Sequence, residues 1–159
     1  MDCCSTKYGA PPSAVDAPRA CSACEGASRA VTRKTMLLML KPEAFDRIGE
    51  GFYRFCASAE CRVVYFPENG GESFTTDDLR VRVGLKETSD PIPLCYCFGF
   101  DEADLREEIK ATGDISIPQR IASLVKQGMC ACDDRNPSGA CCLGAVTKAA
   151  KRLMSEATQ

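Results

Sequence analysis

Cys130-Ala131-Cys132-Asp133-Asp134-Arg135-Asn136-Pro137-Ser138-Gly139-Ala140-Cys141-Cys142-Leu143-Gly144 places a thiol pair on each side of a turn and leads into a helical pattern. Asn136-Pro137-Ser138-Gly139 is turn chemistry: a preset proline φ, short polar side chains that bond nearby backbone, and a glycine free to take positive φ. Beyond it Leu143, Val146, Ala150 and Leu153 recur at helical spacing, so 143–154 is expected to be a helix with these residues inward. If that helix begins near Ala140, Cys142 shares a face with Val146, whereas Cys141 aligns with Ala145. Cys142 is therefore the preferred ligand of its pair, and Cys132, which enters the turn directly, of the other. Cys130 and Cys141 stand as alternates, against the plain reading that they are small buried hydrophobes.

Upstream the helical character continues. Ser116 precedes a segment with Ile117, Ile121, Leu124 and Val125 on one side, stopped by Gly128. Asp101 is placed to cap a helix running to about Ala111, with Leu105 and Ile109 on one face and Gly113 at its end. Cys95-Tyr96-Cys97 opens this half, and thiolates at i and i+2 of an extended loop both reach one centre. Cys95, Cys97, Cys132 and Cys142 thus form a four-thiolate set suited to a [2Fe–2S] cluster, which takes two protein ligands on each iron. Unpaired N–H groups at a helix start favour such an anionic group.

The first half reads as strands. Candidates at 51–55 and 62–66 are aromatic or β-branched and are joined by the segment holding Cys56 and Cys61. Residues 67–71 are a turn by composition, and 72–75 a short strand. Thr76 is expected to cap one helical turn, and Val81, Val83 and Leu85 alternate as in a strand. Phe52, Tyr53, Phe55, Tyr65 and Phe66 are read as core. Cys21-x-x-Cys24 and Cys56-x4-Cys61 make two short knuckles with the spacing of a tetrahedral Cys4 zinc site, which has no open position for substrate. Residues 1–20, rich in Ala, Pro, Ser and Gly, are expected to be a flexible tail. That gives three units: the tail at 1–20, a zinc-binding β-rich unit at 21–88, and a helical cluster-binding unit at 89–159.

The chain of 159 residues has 12 cysteines and no histidine, so any metal site must be thiolate-rich. No secretory signal precedes the cysteines, and the longest apolar run, 36–40, is too short to insert in a membrane. The expectation is a soluble, cytoplasmic protein with reduced thiols that bind metal rather than forming disulfides. Soft ligands select zinc, cuprous ion and iron–sulfur clusters over calcium or magnesium. The formal charge is −2, with acidic and basic residues dispersed, which argues against nucleic acid as a partner. Without histidine the usual proton shuttle is missing, and no nucleophile–base constellation is visible. No catalytic residue is assigned, and the enzymatic label left open is reduction of Cu(II) to Cu(I).

Cys95-Tyr96-Cys97-Phe98, the helical spacer, and Cys130-Ala131-Cys132 followed by 136–144 resemble the N-terminal domain of CopZ-type copper chaperones. The resemblance covers about residues 21–150 and extends to stand-alone bacterial relatives described as iron–sulfur cluster-binding metallochaperones. The helical half is also similar to the bacterioferritin-associated ferredoxin module, although its later cysteine spacing is longer. The resemblance implies an α+β fold, zinc on Cys21, Cys24, Cys56 and Cys61, and a [2Fe–2S] cluster in the second half. It also implies a copper context: one-electron reduction of cupric ion, transient Cu+ binding, and delivery to a copper-transporting P-type ATPase or another metal-handling protein. The family's longer members end in a heavy-metal domain with a Met-x-Cys-x-x-Cys site, which is not found before Gln159. A direct hand-off by that route is therefore not expected, and Cys3-Cys4 is the alternative place for a cargo ion. Competing readings are a [2Fe–2S] electron-transfer or redox-sensing module without metal cargo, and a zinc-stabilised interaction domain whose cluster is structural.

Overall fold

The aromatic and β-branched runs after Gly51 pair as antiparallel strands. The computed structural model describes residues 19–159. Its first sheet runs in the order β1 (Ser28–Val31), β2 (Tyr53–Cys56), β3 (Val63–Pro67), β4 (Phe74–Thr75). The register sets Ser28 opposite Cys56, Val31 opposite Tyr53, and Phe55 opposite Tyr65. All four residues of β2 are buried, so both faces of this strand are covered. Tyr53 and Phe55 join a core with Met36, Leu40, Tyr65 and Phe74. Arg54 and Cys56 alternate to the other face. There Arg54 pairs with Glu68 at 2.9 Å, the two side chains being only 4% and 7% exposed. Its Nε donates to Ser28 Oγ at 2.8 Å, which ties β1 to β2 beside Cys56.

The connection from β1 to β2 contains α1 (Arg33–Met39), capped by Thr32 Oγ1, which accepts from the Thr35 N–H at 3.1 Å. Met36 and Met39 face the sheet, while Leu37 and Leu38 point outward. The 3-10 turn Thr76–Asp78 is capped by Thr75 rather than Thr76, with Asp78 closing a reciprocal capping box. Two further expectations are corrected. Val81, Val83 and Leu85 do not form a strand, since the segment bends into a 3-10 turn at Gly84–Lys86 that buries Val83 and leaves Leu85 50% exposed. Phe52 is 52% exposed and lies outside the core, because β2 begins one residue later.

The second half starts with a two-stranded ribbon of β5 (Pro93–Cys95) and β6 (Phe100–Asp101). It continues as α2 (Glu102–Thr112), α3 (Ile117–Lys126), α4 (Cys132–Arg135) and α5 (Leu143–Ala157). Asp101 and Asp104 cap α2 reciprocally, and Gly113 ends it with φ 75°. Ser116 does not cap α3 with its own side chain. Glu108, from α2, instead accepts the N–H groups of Ser116 and Ile117 at 3.0 and 3.1 Å. Leu105, Ile121, Val146 and Leu153 form the centre of this half, with Cys95, Cys132 and Cys142 embedded in the same cluster. The one-turn helix α4 has no sequence signal of its own. Of the residues expected to face inward on α5, Val146, Ala150 and Leu153 are buried and Leu143 is half-buried.

The halves meet through specific contacts. Lys34 on α1 pairs with Asp134 at 2.6 Å, and Thr35 Oγ1 donates to the Asp133 carbonyl at 2.7 Å. The buried Tyr65 hydroxyl donates to the Pro137 carbonyl at 2.7 Å, anchoring the turn before Cys141 to the sheet. Among the described residues no helix is long and apolar enough to cross a membrane.

Candidate metal centres

The first centre is built where β2 ends. Cys56 is its last residue, Cys61 immediately precedes the segment into β3, and Cys21 and Cys24 come from a tight knuckle ahead of β1. In that knuckle the Cys21 N–H donates to the Gly26 carbonyl at 2.9 Å and the Glu25 N–H to the Cys21 carbonyl at 2.8 Å. Glu25 takes positive φ at 59°, which turns the Gly26 N–H onto Cys24 Sγ at 3.4 Å. A side chain on Gly26 would press on Ser58 Cβ at 3.1 Å and on Cys24 Sγ at 3.2 Å, so a larger residue here would push on the ligand sulfur.

The four sulfurs of Cys21, Cys24, Cys56 and Cys61 all lie within 4.8 Å of one another. Thiolates about 2.3 Å from a tetrahedral zinc have sulfur–sulfur edges of about 3.8 Å. Cys24 Sγ and Cys56 Sγ are 3.6 Å apart, so the set fits the ion. Cys21 and Cys56 are buried with Phe66, while Cys24 is exposed. The Gly26 N–H lowers the Cys24 thiol to about 7. Burial pushes Cys56 up to about 12 and also raises Cys61. Ion binding must therefore displace protons from the inner thiols. Lys86 is a neighbour that sequence reading missed, as nothing in its local pattern marks it. Its Nζ donates to the carbonyls of Ser58 and Cys61 at 2.7 and 2.9 Å.

The second cysteine set surrounds the N-termini of α4 and α5. Cys95 ends β5, Cys97 sits in the turn of the ribbon, Cys132 is the first residue of α4, and Cys142 holds the cap position of α5. Cys142 Sγ lies 3.1 Å from Cys95 Sγ, and Cys97 Sγ lies 3.7 Å from Cys132 Sγ. Cys142 also hydrogen-bonds Cys132, so the sulfurs are linked in the order Cys95, Cys142, Cys132, Cys97. The Ala131 N–H donates to Cys97 Sγ at 3.2 Å, the Cys142 N–H reaches Cys132, and the N–H groups of Phe98 and Cys97 reach Cys95. Cys132 is lowered to about 5 and Cys95 to about 7, in each case chiefly by the hydrogen bond with Cys142. The Cys142 thiol is correspondingly raised, since it holds the proton shared with Cys132 and Cys95. Burial pushes Cys97 up to about 12. Cys130, half-buried, bonds Cys132, and Cys141, also half-buried, lines an adjacent groove.

Tyr96 stands between two of these cysteines, and its hydroxyl leaves the site. It donates to the Arg82 carbonyl at 2.8 Å and accepts the Gly84 N–H at 2.9 Å. Cys3 and Cys4 lie outside the described residues.

Comparison with known proteins places this geometry. Residues 18–80 match a family model, zf_CopZ, described as a zinc binding domain. The copper chaperone CopZ of Archaeoglobus fulgidus is 33% identical over 143 residues, covering 84% of this chain and 67% of that protein. The X-ray structure of the N-terminal domain of Archaeoglobus fulgidus CopZ superposes with a TM-score of 0.66 at 30% identity, covering 81% of this chain and 95% of that one. With its zinc-binding domain, its Cys4 site and the α+β arrangement of a sheet followed by helices, this chain belongs to the CopZ family.

Proposed function

We propose that the chain is a metallochaperone-like protein of copper homeostasis, with a structural zinc on Cys21, Cys24, Cys56 and Cys61 and a [2Fe–2S] cluster on Cys95, Cys97, Cys132 and Cys142. The observation that carries the second assignment is the shape of the sulfur set. Cys142 Sγ lies 3.1 Å from Cys95 Sγ and Cys97 Sγ lies 3.7 Å from Cys132 Sγ, so the four thiols fall into two close pairs. Two thiolate pairs match the two protein ligands that each iron of a [2Fe–2S] cluster takes.

The backbone N–H groups directed at Cys95, Cys97 and Cys132 offset negative charge on the sulfurs, and the helix starts at Cys132 and Cys142 add to this. Leu105, Ile121 and Val146 exclude water from the inner side. The bound cluster would supply one electron at a time, converting Cu(II) to Cu(I). Cys132 is preferred over Cys130 because it is buried and contacts two of the other ligands, and Cys142 over Cys141 for the same reason. Residues 21–88 then serve as the zinc-stabilised frame and 89–159 as the redox unit. The recipient of cuprous ion is a copper-transporting P-type ATPase or another metal-handling protein, and the site of action is the cytoplasm, where thiols stay reduced.

The test is anaerobic purification followed by visible absorption and analysis of iron, sulfide and zinc. Two irons, two sulfides and one zinc per chain are expected. Cys97→Ser removes the colour and keeps the zinc, whereas Cys130→Ser keeps both. A colourless, iron-free parent refutes the cluster, and loss of colour in Cys130→Ser with its retention in Cys132→Ser reassigns the ligand. Reduction of cupric ion by the pre-reduced parent, one ion per cluster, tests the electron-donor role, and its absence refutes that role.

A further inference from the structure

One short turn touches both metal centres. Gly84–Lys86 is a 3-10 turn closed by the Lys86 N–H to the Val83 carbonyl at 2.8 Å and the Glu87 N–H to the Gly84 carbonyl at 3.2 Å. Arg82 pairs with Glu87 across it. From its end, Lys86 Nζ reaches the Ser58 and Cys61 carbonyls of the zinc knuckle and lies 5.7 Å from the centroid of the Phe55 ring. Zinc bound by four thiolates carries a net charge of −2, so an ammonium fixed beside it is favoured electrostatically and holds the 57–61 loop in the closed form.

At the other end of the turn, the Arg82 carbonyl and the Gly84 N–H engage both hydrogen-bonding functions of the Tyr96 hydroxyl. Tyr96 is the residue between Cys95 and Cys97, so its hydroxyl fixes the backbone that aims both sulfurs. The turn also presses directly on β5, where a Cβ on Gly84 would lie 1.8 Å from the Pro93 carbonyl oxygen. Lys86 and Tyr96 thus engage one turn that is also packed against β5.

We propose that the 82–86 turn couples the two centres: closure of the zinc knuckle sets the geometry of the Cys95–Cys97 loop, and hence the electron affinity of the cluster, with Lys86 and Tyr96 as positioning residues. The inference rests on the cluster reading given above. Its physical basis is that N–H···S bonds and solvent access set the potential of a cluster, and both depend on this loop. An element contacted by both sites carries coupling only when its position responds to each of them.

The experiment is a double-mutant cycle on the full chain loaded with cluster, read by midpoint potential and by the EPR signature of the reduced state. Cys24→Ser, at the exposed ligand, opens the zinc site. It is expected to change the reduced-to-oxidised ratio at fixed poise by about tenfold, or about 59 mV for a one-electron couple. In a Tyr96→Phe background, adding Cys24→Ser is expected to change the ratio by less than about twofold, which is the signature of a shared route. Lys86→Met should abolish the response and Lys86→Arg restore it, while Tyr65→Phe, on the separate contact to Pro137, should leave it intact. Extraction of zinc from the parent by a chelator gives the same readout without a substitution. A coloured parent whose potential ignores both zinc extraction and Cys24→Ser overturns the coupling and leaves the cluster assignment standing. An equal shift in the parent and Tyr96→Phe backgrounds overturns the route. A colourless parent overturns both readings together.

Discussion

Zinc affinity is expected to fall steeply with acid, with a slope readable from the thiols that hold protons in the metal-free site. A cysteine binds zinc as thiolate, so each ligand protonated beforehand costs a factor of ten in affinity per pH unit. Burial pushes Cys56 up to about 12 and raises Cys61, so both release a proton when zinc binds near neutral pH. Between about pH 8 and pH 7 the affinity should therefore drop at least about a hundredfold. The Gly26 N–H lowers Cys24 to about 7, so this thiol joins the count only below that point. From about pH 7 to pH 6 the drop should steepen by up to about a further tenfold, to at least about a thousandfold. Competition against a chelator of known proton affinity, on anaerobic protein between about pH 6 and 8.5, measures both segments. A slope below two protons above neutrality would show the inner thiols already ionised and refute the reasoning. A slope that does not increase below neutrality would remove the special place given to Cys24.

Three stability predictions follow from single contacts and are checked by denaturant or thermal unfolding of metal-loaded protein. Tyr65→Phe strands the buried Pro137 carbonyl and should cost about 1–3 kcal/mol, with unchanged zinc content. Arg54→Ala leaves Glu68 buried without its partner and should cost about 3–5 kcal/mol, most of which Arg54→Met with Glu68→Leu recovers. Gly84→Ala forces a backbone shift against Pro93 and should cost about 1–3 kcal/mol, whereas alanine at Gly144, where a Cβ meets nothing within 4 Å, should be tolerated.

Much of the fold was legible because helix signals are local. Asp101 with Asp104, Gly113 and Gly128 mark helix ends through bonds spanning a few residues, and Ile121, Val146 and Leu153 state their faces by spacing alone. The convergence of the four N-terminal thiols was legible for the same reason, as Cys21-x-x-Cys24 and Cys56-x4-Cys61 are each short local knuckles. The alternation of Val81, Val83 and Leu85 misled because a strand needs a neighbour to bond. At this place the chain is bent instead, by contact with Pro93 from beyond the next turn. The one-turn helix α4 is too short to leave a periodic trace and is held by Thr35 and Lys34, about a hundred residues away.

The sequence alone determined the kind of chemistry: thiolates without histidine, spaced in knuckles and flanking helix starts, commit the chain to soft metals. Only the tertiary structure decided which thiols meet and what braces them. Cys142 comes to lie against Cys95, and Lys86 against the Cys61 carbonyl, through long-range packing that no local pattern encodes. Periodicity and capping report on neighbours along the chain, whereas a binding site is made by neighbours in space.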